Sequence, residues 1–382
     1  MSRIPMWGSV AGCCVLAGCL TGRVPSKAAL TQAIQQHIEA GEVAGAVACV
    51  VDAERELQAV TVGFADREAG RPMRMDTLFW IASMTKPVTA CAVMMMHDEG
   101  KLELDAPVSA YLPEFAGLKT ADGRPAVPTL RQMLTHTSGM AEPAEREQLA
   151  ARTLAALMPH IAAKPALFAP GERWQYSQSG INALGRVVEV LSGMPFERFL
   201  AERLFEPLGM QDTTFYPNAA QRERLAAAYR RAGDHLERAA LPAVYDCARG
   251  DQRFPAPNGG LYSTAPDYAR FCQMLLNRGT FRGRRILSAE SVAAMSSVQS
   301  GDLKTGFTPG CAWGLGCCVV REPQGAAAVL SPGSFGHGGA YGTQAWIDPV
   351  KGRAFVLMVQ RANFPNADNS GLRGDFQKAA AD

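Results

Sequence analysis

Excess charge of either sign is missing from this 382-residue sequence: 38 Lys and Arg stand against 36 Asp and Glu, a formal net charge of +2. No block of basic residues stands out, which excludes the electrostatic footprint of a nucleic-acid-binding protein. Long apolar runs are missing too. None reaches the roughly 18 uninterrupted apolar residues of a bilayer-spanning helix. There is no Cys-x-x-Cys and no His/Cys spacing of the zinc-site kind. No internal repeat and no low-complexity linker interrupts the chain. What is there is ordinary for a globular protein, with 47% hydrophobic and 19% charged residues, and long enough for one large or two closely joined domains.

Ten cysteines are present, yet they do not describe a disulfide framework. Cys13, Cys14 and Cys19 fall in an N-terminal stretch in which Arg3 precedes a weakly apolar run from Ile4 to Gly18. It has the shape of a short signal peptide and ends in Leu16-Ala17-Gly18-Cys19, a lipobox-like sequence. Cleavage there would leave Cys19 for lipidation and membrane attachment, and place the protein in the cell envelope or periplasm; the alternative is an unprocessed cytoplasmic chain. The remaining seven, Cys49, Cys91, Cys247, Cys272, Cys311, Cys317 and Cys318, are odd in number, and Cys49 and Cys91 sit in apolar periodic runs that suit small core residues.

Along the chain, Ser26 to Gly41 reads as a helix, with Leu30, Ala33, Ile34 and Ile38 on one side and Gly41 as its stop. Gly45–Val51 and Leu57–Gly63 form a hairpin about the polar turn Asp52–Glu56. From Lys101 to Arg253 the pattern is helical with loops, marked by Leu130–Leu134, Ala150–Ala163, Ile181–Leu191 and Pro195–Phe205. Helices are expected over Ala265–Asn277 and after Ser288, an apt N-cap. Strands return at Trp313–Val320, Gln344–Ile347 and Ala354–Gln360, the last two joined by a turn at Asp348–Gly352. The expected fold is therefore α/β (α+β): an antiparallel sheet built from both chain ends and flanked by helices, with an inserted all-helical domain. The boundaries read as a signal over 1–19, a linker over 20–25, an α/β domain from 26–80 plus 261–365, a helical domain over 81–260, and a polar, peripheral tail over 366–382. The junction of the two parts is the natural place for a cleft.

The chemistry centres on Ser83-Met84-Thr85-Lys86, at the start of a helical stretch in which Val88, Cys91, Ala92 and Met95 recur before Gly100. Residues i and i+3 share a helix face, so hydroxyl and amine can meet. Serine is a weak nucleophile without a neighbouring base, and lysine becomes one when burial or nearby charge lowers its pKa. A chain of this length contains about one Ser-x-x-Lys by chance, so the companions decide. Tyr176, in Tyr176-Ser177-Gln178 on a loop before a helix, can relay protons if a nearby cation lowers its pKa; the plainer alternative is a ring packed under that helix. His337-Gly338-Gly339 opens a strand where glycines let a substrate lie close to the backbone. The plain alternative here is a glycine-rich turn. His37, His97, His136, His160 and His235 read as surface or core residues, and His337 has no acidic neighbour in sequence to suggest a Ser-His-Asp triad.

These three motifs, in this order and approximate spacing, resemble the serine β-lactamase/penicillin-binding-protein-like superfamily, class C-type, and most closely its family VIII carboxylesterases. Leu130–Gly139 and Gly259–Thr264 also look like family segments, and the resemblance runs from about residue 26 to 362. It implies Ser83 as nucleophile, Lys86 and Tyr176 as shared base and proton shuttle, and the backbone N–H groups of Ser83 and Ala340 as oxyanion hole. Gln178, His337, Gly338 and Gly339 would face the substrate. No metal or organic cofactor is required. Two departures matter. The second motif usually ends in Asn, here Gln178, and the third usually begins with Lys, here His337; both point away from β-lactams and peptidoglycan. Lys304-Thr305-Gly306 matches the letters of the third motif but leads into Phe307-Thr308-Pro309-Gly310, which cannot open a central strand. The expected function is hydrolysis of small carboxylic esters through an acyl-enzyme on Ser83. The alternatives are a β-lactamase or D-Ala-D-Ala peptidase, an acyltransferase, or a catalytically silent binding protein. The oligomeric state is left open.

Overall fold

The structure is a computed structural model that describes residues 24–381. The signal segment and Cys19 lie outside the described residues. Helix α1 (Lys27–Glu39) is capped by Ser26, whose hydroxyl accepts from Ala29 N at 3.3 Å. Strands β1 (Gly45–Val51), β2 (Glu56–Asp66) and the short β3 (Arg71–Pro72) follow, then α2 (Thr85–Asp98), α3 (Gln178–Ser192) and α4 (Ala265–Leu276). The C-terminal part supplies β4 (Cys311–Trp313), β5 (Cys318–Val320), β6 (Phe335–Gly338), β7 (Gln344–Asp348), β8 (Arg353–Met358) and α5 (Gly371–Ala381). One eight-stranded sheet results, in the order β4-β5-β6-β7-β8-β1-β2-β3, with antiparallel pairing. β1 pairs with β8 in the register Val47↔Met358 to Val51↔Ala354, so the two ends of the chain meet in mid-sheet.

Every residue of β1 is buried, because both faces of the sheet are covered. Alternation still sorts them. Ala46, Ala48 and Val50 pack with Leu30 and Ile34 of α1 and Leu372 and Phe376 of α5, while Val47, Cys49 and Val51 join the larger core shared with α2, α3 and α4. Helix α2 is buried on all sides from Thr85 to Met96, which is how a helix at the centre of a large core reads. Cys49 and Cys91 are both core residues, and all seven described cysteines are free.

Four expectations are corrected. The stretch 366–382 is not a peripheral tail: α5 docks on α1, with Leu372, Phe376 and Ala380 buried at a spacing of four, and Asp375 on α5 and Glu42 both bond the ring of buried His37, at 2.9 and 2.8 Å. Trp313–Val320 is a hairpin, β4 and β5, because Gly316 takes a left-handed φ of +73° between them. Ala150–Ala163 is not helical throughout: Ala150 ends the helix Glu145–Ala150, and after a break the chain restarts at the cap Thr153 as the helix Leu154–Ala162. The segment 81–260 also holds a hairpin, Tyr229–Ala232 with His235–Arg238, so it is not wholly helical.

Candidate active site

Ser83 sits in a tight turn (Ala82–Met84) that leads straight into α2. The turn is tied down from several sides. Ile81 N donates to Leu261 O at 3.0 Å, Thr85 Oγ1 donates to Ala82 O at 2.7 Å, and Tyr268 Oη donates to Met84 O at 2.8 Å. Ala82 is held at a left-handed φ of +46°, a costly conformation for a residue with a Cβ that persists only where its surroundings enforce it. The end of β6 presses on this turn. A Cβ on Gly339 would fall 2.1 Å from Thr343 Oγ1 and 2.6 Å from Ile81 O, so only glycine fits.

Lys86 lies one helical turn on, with its side chain fully buried. Its Nζ is 3.1 Å from Ser83 Oγ, 2.8 Å from Gln178 Oε1 and 2.6 Å from Asn258 O. Burial lowers its pKa to about 7, against the opposing pull of Glu142 and Asp368. Protonated, it donates to all three oxygens. Neutral, it has two N–H bonds for the two carbonyl oxygens, and its lone pair is left facing the Ser83 hydroxyl.

Tyr176 covers this pair. Its hydroxyl is close to Ser83 and lies 3.3 Å from His337 Nε2, and Lys86 Nζ is 4.5 Å from its ring centroid. The condition of a cation lowering its pKa is not met: burial pushes the phenol well above its ordinary value, so Tyr176 is a neutral phenol. His337 is neutral as well, its pKa lowered to about 3 by burial and by Lys86. Its Nδ1 is 2.7 Å from Gly338 O, which fixes the proton on Nδ1 and leaves Nε2 to accept from Tyr176. The position where the resemblance expects a cation therefore carries none.

The structure brings Ser83, Tyr176, Gln178, His337, Gly338, Gly339 and Ala340 to the wall of one cleft of about 570 Å³, with Lys86 beneath its floor. Phe307 and Phe364 supply apolar wall. Ala340 N donates to no backbone carbonyl among the described residues, and Ser83 is in the first turn of its helix, where N–H groups lack internal partners. Two surface clefts are larger, about 710 and 750 Å³, but neither holds a nucleophile beside a base. Lys304 stands exposed on the loop before Phe307, away from the cleft lining.

Four contributors escaped the sequence reading. Glu142 caps α3, accepting from Gln178 N at 2.6 Å, Ser179 Oγ at 2.7 Å and Ser177 Oγ at 3.1 Å. Asn258 Nδ2 donates to Gln178 Oε1 at 3.0 Å and to Tyr245 Oη at 2.6 Å, which steadies the longer side chain so that it still reaches Lys86. Buried His136 packs its ring 4.4 Å from that of Tyr176. Asp368 lines the cleft from the segment before α5. Asn258 directly precedes Gly259–Thr264 and His136 lies within Leu130–Gly139, segments marked for their resemblance and not for these side chains; Glu142 and Asp368 are single polar residues with no pattern to announce them.

A serine, a buried lysine one helical turn away and a phenol over both fit a serine hydrolase of the β-lactamase fold, the class that the family and its relatives support. The chain belongs to the Beta-lactamase family, whose model matches residues 30–380. It is 35% identical over 357 residues to protein Rv1367c of Mycobacterium tuberculosis, covering 86% of this chain and 88% of that one. It is 32% identical to esterase EstB of Burkholderia gladioli over 366 residues, 88% of this chain and 90% of the other. Relatives named penicillin-binding protein 4 and D-alanyl-D-alanine-carboxypeptidase/endopeptidase AmpH match over less of the chain. Among solved structures, EstCE1, a hydrolase with promiscuous acyltransferase activity, superposes with a TM-score of 0.81 at 26% identity, covering 93% of this chain and 98% of its own.

Proposed function

We propose that the protein is a carboxylesterase that cleaves small esters through an acyl-enzyme on Ser83. The observation that carries this reading is the buried Lys86 amine, whose two carbonyl partners leave a lone pair for Ser83 Oγ. As Oγ bonds to the ester carbonyl carbon, the Ser83 proton passes to Lys86 Nζ. The oxyanion is received by the N–H groups of Ser83 and Ala340, donors of a kind that contribute about a hundredfold or more each. When the C–O bond breaks, the leaving alkoxide takes a proton from Tyr176 Oη, and Lys86 restores it. Water then attacks the acyl carbon, giving its proton back through Tyr176, and Ser83 leaves as the hydroxyl. His337, holding Tyr176 through Nε2, orients the phenol for this exchange.

Esters suit the cleft better than β-lactams or D-Ala peptides, because neutral His337 offers no charge to a substrate carboxylate. An acceptor alcohol in place of water would turn the same acyl-enzyme into an acyltransferase intermediate. The test is p-nitrophenyl butyrate hydrolysis by the wild type and Ser83→Ala. The wild type should turn over, and Ser83→Ala should lose at least about a thousandfold in kcat; full activity in Ser83→Ala would remove the nucleophile assignment. Faster turnover of nitrocefin or D-Ala dipeptides than of short esters would replace the esterase reading with its alternatives.

A further inference from the structure

Asp368 takes no part in the chemistry just described, yet its carboxyl stands in the wall of the same cleft. The segment Phe364–Asp368 forms that wall, and Asp368 Oδ1 lies so close to β6 that a Cβ on Gly338 would come within 1.6 Å of it. The side chain is held in place. Gln344 Nε2 donates to Asp368 Oδ1 at 3.2 Å and to Ala367 O at 3.1 Å, and Trp346 Nε1 fixes that amide by donating to Gln344 Oε1 at 3.0 Å.

No Lys, Arg or His of the described residues forms an ion pair with this carboxylate. Arg373, the nearest guanidinium, donates to the Asp368 backbone carbonyl instead, stacks 3.8 Å over Trp346, and is buried behind the wall. The Lys86 amine is already bound to Ser83, Gln178 and Asn258, and His337 is neutral. The lining of the cleft thus contains one carboxyl and no lysine or arginine.

Resting on the esterase reading, we propose that Asp368 sets substrate charge: it bars esters that carry a carboxylate near the scissile bond and admits neutral or cationic ones. A like charge a few ångströms away in a partly desolvated cleft is disfavoured, and an ammonium is favoured. Burial raises the Asp368 carboxyl above its ordinary range, while Arg373, Gln344 and Lys86 favour its ionised form. The discrimination therefore fades as pH falls and Asp368 takes up a proton.

The test compares kcat/KM for three matched esters: 4-nitrophenyl hexanoate, mono-4-nitrophenyl adipate and 4-nitrophenyl 5-(trimethylammonio)pentanoate. A second set carries the charge on the alcohol half, with butyrylcholine against its neutral analogue 3,3-dimethylbutyl butyrate and against O-butyrylglycolate. In at least one set the wild type should use the anionic ester at least about tenfold less well than the neutral one. In Asp368→Asn that gap should close to about twofold, with the cationic ester losing its advantage. The ratio, rather than the rate, separates a charge filter from a merely structural wall. Equal use of anionic and neutral esters by the wild type in both sets, or an unchanged ratio in a folded Asp368→Asn, overturns the proposal. The wild-type ratio decides the matter alone if the variant does not fold. Failure of the wild type to cleave any neutral ester strikes the esterase reading itself, and this proposal with it.

Discussion

Lys86 is an amine whose three hydrogen-bond partners suit either protonation state, so under the proposed mechanism its titration governs activity. In the proposed mechanism the neutral form is the base, and burial lowers its pKa to about 7. Activity is therefore expected to fall away below about pH 7 as the amine is protonated, giving kcat/KM an acidic limb there. Glu142 raises this pKa by favouring the ammonium. Glu142→Gln keeps an oxygen to cap α3 but removes the charge, so the limb should move to lower pH, by about half a unit. A limb that moves up, or an activity indifferent to pH between 5 and 9, would count against Lys86 as base. Tyr176→Phe removes the phenol proton but keeps the ring against His136; kcat should fall about a hundredfold or more while the fold survives by circular dichroism.

At the level of elements, the legible parts were those with a local pattern. Ser83 and Lys86 could be paired because i and i+3 share a helix face, α1 could be placed because Leu30, Ala33, Ile34 and Ile38 share one side and Gly41 stops it, and the paired strands β1 and β2 showed as apolar runs about a polar turn. Helix α5 was illegible for a physical reason. Leu372, Phe376 and Ala380 are its buried apolar residues, and polar Arg373 and Gln377, buried beside them, break up that stripe; Arg373 packs against Trp346. Asp368 was lost with the same segment. The protonation state of Tyr176 depends on burial by residues far away in the chain, which no local pattern reports. Because α5 completes the core on the α1 face of the sheet, Phe376→Ala should cost about 3–5 kcal/mol in a urea titration. Val350, exposed in the turn between β7 and β8, is the contrast, and Val350→Ala should change stability by less than about 0.5 kcal/mol. Similar midpoints for the two variants would show that α5 is the loosely attached tail it first resembled.

For the whole molecule, the question is whether the sheet and the helical segment behave as one folding unit. The chain enters the sheet at β1, leaves it for the helices after β3, and returns to lay β8 against β1. The helical segment is thus closed at its root by strand pairing across most of the chain. The same packed cluster contains Val47 and Cys49 of β1, Val88 of α2, Leu134 and Leu184 of the helical segment, and Phe271 of α4. A core shared this way cannot lose one half without exposing the apolar surface of the other, so the two layers should melt together. No disulfide links the described cysteines, so nothing covalent would hold one layer after the other has gone. Tryptophan fluorescence weights Trp80, stacked on Tyr245, and Trp174, packed on the cleft residues Tyr176 and Phe307, as well as Trp313 and Trp346 in the sheet, whereas far-UV circular dichroism weights the helices. The two signals should give superimposable unfolding curves in guanidinium, with midpoints unmoved by a reductant. Separated transitions would mean that the helical segment holds a core of its own, and that the cleft between the layers opens before the sheet does.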